Sequence, residues 1–145
     1  RDPDIALVDL NAYSLAAAAQ RIARFNPRSV EADALQKLPD LGQFDSVGLC
    51  YILHCLPGTM REKAAVFDHV RPLIAPGGTV FGATIAKGQA RCGRIAQALM
   101  DLYNAKGIFS NKTDTADELE AELRARFASV RIWTLGTVAL FEARV

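Results

Sequence analysis

The sequence predicts an α/β fold: a mostly parallel sheet with helices on both faces and an antiparallel hairpin at the C-terminal end. Three observations lead to this class. Short apolar runs alternate with segments of helical periodicity, which is the pattern of strands joined by crossover helices. The early apolar runs are continuous, as expected for strands buried on both faces. The last two runs are separated only by Gly136-Thr137, a connection that favours a hairpin.

The bulk composition predicts one globular domain over residues 1–145. Half of the 145 residues are hydrophobic and 23% are charged, which is enough for one core. The formal net charge of +1 gives no global field, so we expect neither nucleic acid nor a membrane as partner. We find no signal peptide and no apolar run approaching about 18 residues. We therefore expect a cytoplasmic protein.

The three cysteines, Cys50, Cys55 and Cys92, are an odd number without a C-x-x-C motif. This pattern argues against a disulfide framework and a structural zinc site. We expect buried free thiols in a reducing compartment. No lysine or arginine stands beside Cys50 or Cys55 to lower its pKa, so both are predicted to be core residues rather than nucleophiles.

The first third of the chain predicts strand, helix, strand. Ile5–Val8 is a continuous apolar run that stops at Asp9. A helix is predicted over Leu10–Asn26, because five residues share one face and Asn26-Pro27 ends the pattern. A second strand is predicted over Ser29–Ala32. The shared face comprises Leu15, Ala18, Ala19, Ile22 and Phe25.

The middle of the chain repeats this alternation. A third strand is predicted over Val47–Cys50. The capping-box spacing of Thr59–Glu62 predicts a helix to about Ile74. Pro76-Gly77-Gly78 predicts a tight turn, and the β-branched and aromatic residues of Thr79–Ile85 predict a fourth strand.

The last third predicts two further helices and the hairpin. Gly88–Gly107 contains one helical pattern, and Thr115–Glu118 has the spacing of a second capping box. The helix that follows Thr115 is predicted to bury Leu119, Leu123 and Phe127. The hairpin strands are predicted over Val130–Leu135 and Val138–Val145.

Acidic residues end two successive predicted strands. Asp9 is suited to accept hydrogen bonds from a ribose diol, or alternatively to cap the following helix as Asn11 also could. Asp33, beside the backbone N–H of Ala34, is suited to the edge of an adenine ring, and its alternative is a simple strand-to-loop turn. Carboxyl ends of parallel strands meet at one edge, where ligands bind in open α/β sheets.

His54 follows the third strand and stands beside Tyr51 and Cys55. A histidine near a ligand crevice is a candidate general base. The alternative is a histidine that is packed and hydrogen-bonded without a catalytic role.

Four segments together resemble the successive motifs of the class I S-adenosylmethionine-dependent methyltransferases, of the type that acts on small molecules. The segments are ALVDLN (Ala6 to Asn11), VEADALQKLP (Val30 to Pro39), FDSVGLCYILHCLP (Phe44 to Pro57) and LIAPGGTVFGATI (Leu73 to Ile85). The resemblance implies a Rossmann-like sheet ending in an antiparallel hairpin, as the C-terminal pattern also suggests.

The same resemblance implies roles for individual residues. Asp9 would hold the ribose hydroxyls, Leu10 would pack on the adenine, and Asp33 and Ala34 would read the adenine edge. Cys50 and Tyr51 would approach the methionine part of S-adenosyl-L-methionine. The family builds its acceptor pocket from the region after the fourth strand, so the candidate substrate contacts are Tyr103, Ile108 and Phe109. No metal is implied.

One departure from the family is large. The family's first strand and its glycine-rich loop would precede the Asp9 strand, and no G-x-G-x-G occurs in this sequence. The missing strand would lie between the Asp9 strand and the third strand, which would leave two inner edges with unpaired N–H and C=O groups. We therefore expect the 145 residues to belong to a longer chain. As an isolated polypeptide the segment would be unstable, or would fill the gap by association, either with the missing N-terminal segment of the same protein or with a second copy.

The preferred hypothesis is methyl transfer from S-adenosyl-L-methionine to a small-molecule acceptor. A nicotinamide-dependent oxidoreductase is the enzymatic alternative, because Asp9 would serve NAD equally well; the hairpin and Asp33-Ala34 count against it. A non-catalytic interaction domain on a methyltransferase fold is the alternative from another class. Glycines ahead of Arg1 in a longer parent sequence would favour the enzyme.

Overall fold

The computed structural model describes residues 3–86 and 93–145. The chain divides into two compact units, Arg1–Gly42 and Gln43–Val145. The predicted class is confirmed: strands and helices alternate, and the chain ends in an antiparallel hairpin.

The first unit holds two parallel strands and one helix. β1 (Ala6–Asp9) pairs with β2 (Arg28–Glu31), and Asp9 lies opposite Glu31. Helix α1 (Ala12–Arg21) connects them and is continued by a 3₁₀ turn over Ala23–Phe25. The crossover from strand to parallel strand is therefore the one that the sequence predicts.

Helix α1 is shorter than the predicted Leu10–Asn26. Asn11 caps it by accepting the N–H groups of two residues in the first turn. At the other end Asn26 has φ 48°, a left-handed conformation that asparagine tolerates. Pro27 disfavours the α conformation for the residue before it, so the helix tightens and stops there. Of the predicted apolar face, Leu15 is buried.

The second unit contains a four-stranded sheet in the order β3-β4-β6-β5. β3 (Phe44–Cys50) runs parallel to β4 (Ile74–Ile85). β4 is antiparallel to β6 (Val138–Arg144), which forms the predicted hairpin with β5 (Ser129–Leu135). β4 and β6 are therefore the inner strands.

The described residues form a two-stranded and a four-stranded sheet rather than one continuous sheet. Within those residues β1 pairs with β2 and β3 pairs with β4, and no ladder joins β1 to β3.

Pro76-Gly77-Gly78 does not form a turn ahead of a strand, contrary to the prediction. β4 already begins at Ile74, opposite Phe44, and regular pairing resumes at Thr79 after an irregularity. Gly77 has φ +77°, and a Cβ on Gly78 would lie 2.8 Å from the carbonyl oxygen of Ala75. The glycines therefore allow the strand to bulge without ending it.

The predicted helix after Thr59 is present but broken. Thr59 and Glu62 form both halves of a capping box on helix α2 (Met60–Lys63). The chain then continues as helix α3 (Ala65–Val70) and a 3₁₀ turn over Arg71–Leu73.

Two further helices complete the second unit. α4 (Arg94–Ala105) lies within the predicted helical stretch; residues 88–92 of that stretch are outside the described residues. α5 (Ala116–Arg124) begins with the predicted capping box and buries Leu119, Leu123 and, just beyond its end, Phe127. Among the residues described, no helix is long and apolar enough to cross a membrane.

The prediction of buried thiols is wrong for two of the three cysteines. Cys50 and Cys55 are free and exposed. Side chains alternate along a strand, so the burial of Leu49 turns Cys50 to the opposite face. Among the described residues, β3 lies at one edge of the four-stranded sheet. Cys55 is the last residue of a 3₁₀ turn whose other two residues, Leu53 and His54, are buried. Cys92 lies outside the described residues.

Candidate functional site

Asp9 is the last residue of β1, and its side chain is exposed. Its Oδ1 accepts the N–H of Asn11 at 2.7 Å, while Asn11 itself provides the cap of α1. The alternative role of Asp9, capping the helix, is therefore filled by Asn11. The Asp9 carboxylate stands outside the helix at the end of the strand.

Asp33 lies at the same edge of the two-stranded sheet. The strands are parallel, and the N–H of Ala32 donates to the carbonyl of Asp9 at 3.2 Å. Asp33 follows directly, and its Oδ1 accepts the N–H of Leu35 at 2.9 Å. The structure thus brings Asp9 and Leu10 together with Asp33 and Ala34 at the carboxyl ends of adjacent strands.

Two large apolar side chains are exposed beside Asp9. Leu10 is 67% exposed and Tyr13, in the first turn of α1, is 90% exposed. Sequence reasoning selected Leu10 but missed Tyr13. The sequence signal for Tyr13 is its position in the first helical turn after Asp9, the acid that ends β1.

Cys50 and Tyr51 stand at the carboxyl end of β3 in the second unit. The N–H of Tyr51 donates to the carbonyl of Ala83 at 2.7 Å and so closes the ladder with β4. Tyr51 has φ +59°, which is uncommon for a residue with a bulky side chain. Such backbone outliers cluster at functional sites, because surrounding structure must hold them in place.

His54 is buried, with 3% of its surface exposed. Its Nδ1 accepts the N–H of Ile85 at 3.4 Å and lies 3.3 Å from Oγ1 of Thr84. A backbone N–H can only donate, so Nδ1 carries the lone pair and the neutral ring has its proton on Nε2. Burial, and secondarily the positive charge of Lys63, lower the pKa of His54 from its usual 6.5.

This geometry favours the packed and hydrogen-bonded alternative for His54. The nitrogen that would accept a proton is occupied by a backbone donor, and burial disfavours the charged ring. A catalytic role for His54 stays a prediction.

The predicted substrate contacts lie together in the second unit. Phe109 packs edge-on against His54 with ring centroids 4.7 Å apart, and Tyr103 lies 5.0 Å from Phe109. Tyr51 also lies edge-on to His54, with ring centroids 5.9 Å apart. We call these four residues the ring cluster. Ile108, next to it in sequence, is 50% exposed.

A fully buried ion pair is attached to the segment that follows Phe109. Nζ of Lys63 is 2.5 Å from Oδ2 of Asp114, and both side chains are 0% exposed. Lys63 also donates to the carbonyl of Ser110, whose N–H donates to the carbonyl of His54 at 2.8 Å. The pair links α2 to the segment that carries Phe109.

Burial and the neighbouring Lys63 shift the pKa of Asp114 in opposite directions. Burial raises the pKa of its carboxyl group, whereas the hydrogen bond and charge of Lys63 act in the other direction without cancelling that effect. Its Oδ1 has no hydrogen-bond partner in the described part of the chain. Sequence reasoning missed this pair, because Lys63 and Asp114 are 51 positions apart and each stands among residues typical of a solvated surface.

Two asparagines fasten the same segment to β4. The Nδ2 of Asn104 donates to Oδ1 of Asn111 at 2.8 Å, and the N–H of Asn111 donates back at 3.2 Å. The Nδ2 of Asn111 also donates to the carbonyl of Ile85 at 2.9 Å. The segment is therefore held at the carboxyl end of β4.

No group of three or more potential metal ligands occurs among residues 3–86 and 93–145.

The family of the chain follows from comparison with known proteins. Residues 1–80, more than half of the chain, match the family model described as a methyltransferase domain. The chain therefore belongs to this family, and its resemblance to the class I methyltransferases is confirmed.

Two relatives are similar along nearly the whole chain. Demethylluteothin O-methyltransferase from Streptomyces thioluteus is 38% identical over 143 residues, which cover 98% of this chain and 62% of the relative. N-methyltransferase vrtF from Penicillium aethiopicum is 36% identical over 140 residues, covering 96% and 59%. The chain thus spans about three fifths of the length of these relatives.

A solved structure shares the fold. The chain superposes on N-methyltransferase NodS from Bradyrhizobium japonicum, determined with S-adenosyl-L-homocysteine, with a TM-score of 0.66 and 15% identity. The match covers 97% of this chain and 66% of NodS.

Proposed function

We propose that the whole protein transfers a methyl group from S-adenosyl-L-methionine to a small-molecule acceptor. The observation that carries the proposal is the edge formed by Asp9 and Asp33, two acids at adjacent parallel strand ends in a chain of the methyltransferase family. Ligands of open α/β sheets bind outside the carboxyl ends of their strands. The relatives named as methyltransferases support the same reaction.

Each predicted cofactor residue has a role that its chemistry supports. The exposed carboxylate of Asp9 accepts hydrogen bonds from the ribose hydroxyls, and Leu10 covers one face of the adenine. Asp33 and Ala34 contact the adenine edge. Cys50 and Tyr51, at the end of β3, lie along the methionine part. A solved relative of this fold binds S-adenosyl-L-homocysteine, which supports the same cofactor here.

The acceptor is proposed to contact Tyr103, Ile108 and Phe109. The sulfonium methyl group is already electrophilic, so the protein mainly aligns the acceptor atom with it and excludes water. One similar protein is named an O-methyltransferase and another an N-methyltransferase, so we leave the acceptor as an oxygen or nitrogen atom. The reaction does not require His54 as a base.

The cofactor test is a calorimetric titration of S-adenosyl-L-homocysteine into the full-length protein, with NAD as control. We expect saturable binding of the first at one site and none of NAD. Binding of NAD alone would make the protein an oxidoreductase. Absence of binding by both compounds, in a folded protein, would favour a non-catalytic interaction domain.

We also propose a cytoplasmic location. The support is the sequence pattern of three cysteines without a disulfide framework, which is typical of reducing compartments.

A further inference from the structure

The rings of the ring cluster contact one another in a row from the end of β3 to α4, and the aromatic surface that they present is interrupted where His54 is buried. Its outer members are accessible: Tyr51 is 54% exposed and Tyr103 is 37% exposed. Its inner members, His54 and Phe109, are buried or partly buried and contact each other. A ligand on this surface would meet aromatic rings that contact one another.

The groups attached to this surface carry no uncompensated charge that would favour an ionic ligand. The pKa of His54 is lowered, so its ring is neutral near pH 7. Lys63 and Asp114 pair with each other in the interior, both without solvent exposure. An ionic ligand would lose its hydration here without gaining an exposed counter-charge from these groups.

The inner part of the surface is also held in place. Lys63 donates to Ser110 and Asp114, which flank the loop after Phe109, while the N–H of Ser110 donates to His54. Asn111 attaches the same loop to the end of β4. A binding surface fixed before the ligand arrives loses less entropy on binding.

We propose that the ring cluster binds an uncharged, ring-bearing methyl acceptor, and that Lys63 and Asp114 are positioning residues that hold Phe109 against His54. The inference rests on the proposed function and deepens it by naming the acceptor class. Rings of the acceptor pack against Tyr51, Phe109 and Tyr103, while the buried ion pair keeps their spacing.

The acceptor class is tested with two probes that share one ring system. 2-Naphthol and anionic 2-naphthoate are titrated by fluorescence into full-length protein saturated with S-adenosyl-L-homocysteine. We expect 2-naphthol to bind about tenfold more tightly than 2-naphthoate, and Phe109→Ala to weaken 2-naphthol binding by about tenfold. Tighter binding of 2-naphthoate, or no binding of 2-naphthol, would overturn the proposed acceptor class.

The positioning role is tested without relying on any ligand. In the double variant Lys63→Met/Asp114→Leu, we expect the Ser110 amide to exchange its hydrogen about tenfold faster and 2-naphthol to bind several-fold more weakly. Affinity for S-adenosyl-L-homocysteine should stay unchanged. The matched control is Arg124→Met/Glu120→Leu, which removes an exposed ion pair of α5 and should change none of the three measurements.

Unchanged exchange at Ser110 in the double variant would overturn the positioning role. If that variant does not fold, Asp114→Asn serves instead: it removes the negative charge that holds Lys63, so the Ser110 amide should again exchange faster than in the wild type, and unchanged exchange would overturn the positioning role. Failure of the wild-type protein to bind S-adenosyl-L-homocysteine would refute the proposed function, whereas Ser110 exchange would still report on the ion pair.

Discussion

At the end of β1, two neighbouring polar residues have different roles: Asn11 caps the following helix, and Asp9 ends the strand. Asn11 caps α1 through its side chain, and Asp9 forms a short turn by accepting the N–H of Asn11. The Asp9 side chain is therefore not the cap of α1. Its carboxylate is available at the sheet edge where Asp33 also lies, which is why these two residues are the centre of the proposed cofactor site.

Asp9→Ala should weaken binding of S-adenosyl-L-homocysteine by about 10- to 100-fold, since a hydrogen bond to a charged group contributes about 1.5–3 kcal/mol. Calorimetric titration measures the change. Asp40→Ala is the matched control, because Asp40 forms the same kind of turn by accepting the N–H of Gly42 at 3.0 Å but does not end a strand. Equal affinities of the two variants would contradict the assignment of Asp9.

His54 predicts a specific pH dependence of stability. Its pKa is lowered in the folded protein from 6.5, so the unfolded chain takes up the proton first as the pH falls. The stability contributed by the neutral ring is fully present above pH 6.5 and is lost below it, until the folded histidine is protonated too. The loss is at most about 1.4 kcal/mol per pH unit.

The measurement is urea unfolding at pH 7.5 and pH 5.5 for the wild type and His54→Gln. We expect the wild type to lose more stability between the two pH values than the variant, which has no ring to titrate. An identical loss in both proteins would show that His54 does not titrate differently on folding.

Among the elements, α2 and the loop before α5 depend on each other through Lys63 and Asp114. Two charged side chains in the interior stabilise the fold only as long as both are present, because each compensates the burial of the other. Through this ion pair the four-residue helix α2 holds the loop before α5 in place.

Lys63→Met alone should lower the free energy of unfolding by about 3 kcal/mol or more, because it leaves the Asp114 carboxylate buried without a counter-charge. The double variant Lys63→Met/Asp114→Leu should lose less than this single variant. Urea unfolding measures both. A double variant that is less stable than the single one would contradict a buried, mutually compensating pair.

β4 depends on a glycine between its two neighbours. A Cβ on Gly82 would lie 2.3 Å from the carbonyl oxygen of Leu49 and 2.5 Å from the ring of Phe141. The Leu49 carbonyl is part of the backbone of β3 and the Phe141 ring is buried in the core, so neither can move aside without displacing a strand. On adjacent β3, a Cβ on Gly48 would meet the ring of Phe81, a side chain that is 43% exposed, at 3.2 Å.

Gly82→Ala should therefore destabilise the protein by about 1–3 kcal/mol or prevent folding, as overpacking does in a close-packed core. Gly48→Ala, the matched control, should change stability much less because an exposed ring can rotate away. Thermal unfolding of the two variants measures the difference. Equal melting temperatures would contradict the close packing of β4.

For the whole molecule, ligand binding and folding should be coupled. A ligand that binds only the folded state raises the free energy of unfolding by about 2.7 kcal/mol when its free concentration is 100 times its dissociation constant. We expect S-adenosyl-L-homocysteine to stabilise the full-length protein by this amount in urea unfolding, and NAD at the same concentration to have no effect. Stabilisation by NAD instead would favour the oxidoreductase alternative.

Local signals made much of the fold predictable. Both capping boxes were recognised from Thr59–Glu62 and Thr115–Glu118, because their hydrogen bonds join residues three positions apart. The hairpin was recognised because only two residues separate its strands. By contrast, the sequence predicts a turn where Gly77 forms a bulge, because glycine and proline are typical of both and only the pairing with β3 distinguishes them.

The candidate site was predictable only in part, because some of its contacts join residues that are far apart in sequence. Strand-ending acids such as Asp9 and Asp33 follow from strand positions alone. The contact of Phe109 with His54, across 55 positions, depends on how α4 and its loop return to β4. The exposure of Cys50 depended on which face of β3 turned inward.

The amino-acid sequence by itself determined the class of fold, the family and the acids at the strand ends, because these follow from periodicity, capping and motif order along the chain. Only the tertiary structure decided that Lys63 and Asp114 pair in the interior and that the ring of His54 accepts a backbone N–H. Both depend on contacts between residues far apart in sequence. Such contacts decide whether a charge is compensated and which nitrogen carries a proton, and no local pattern encodes them.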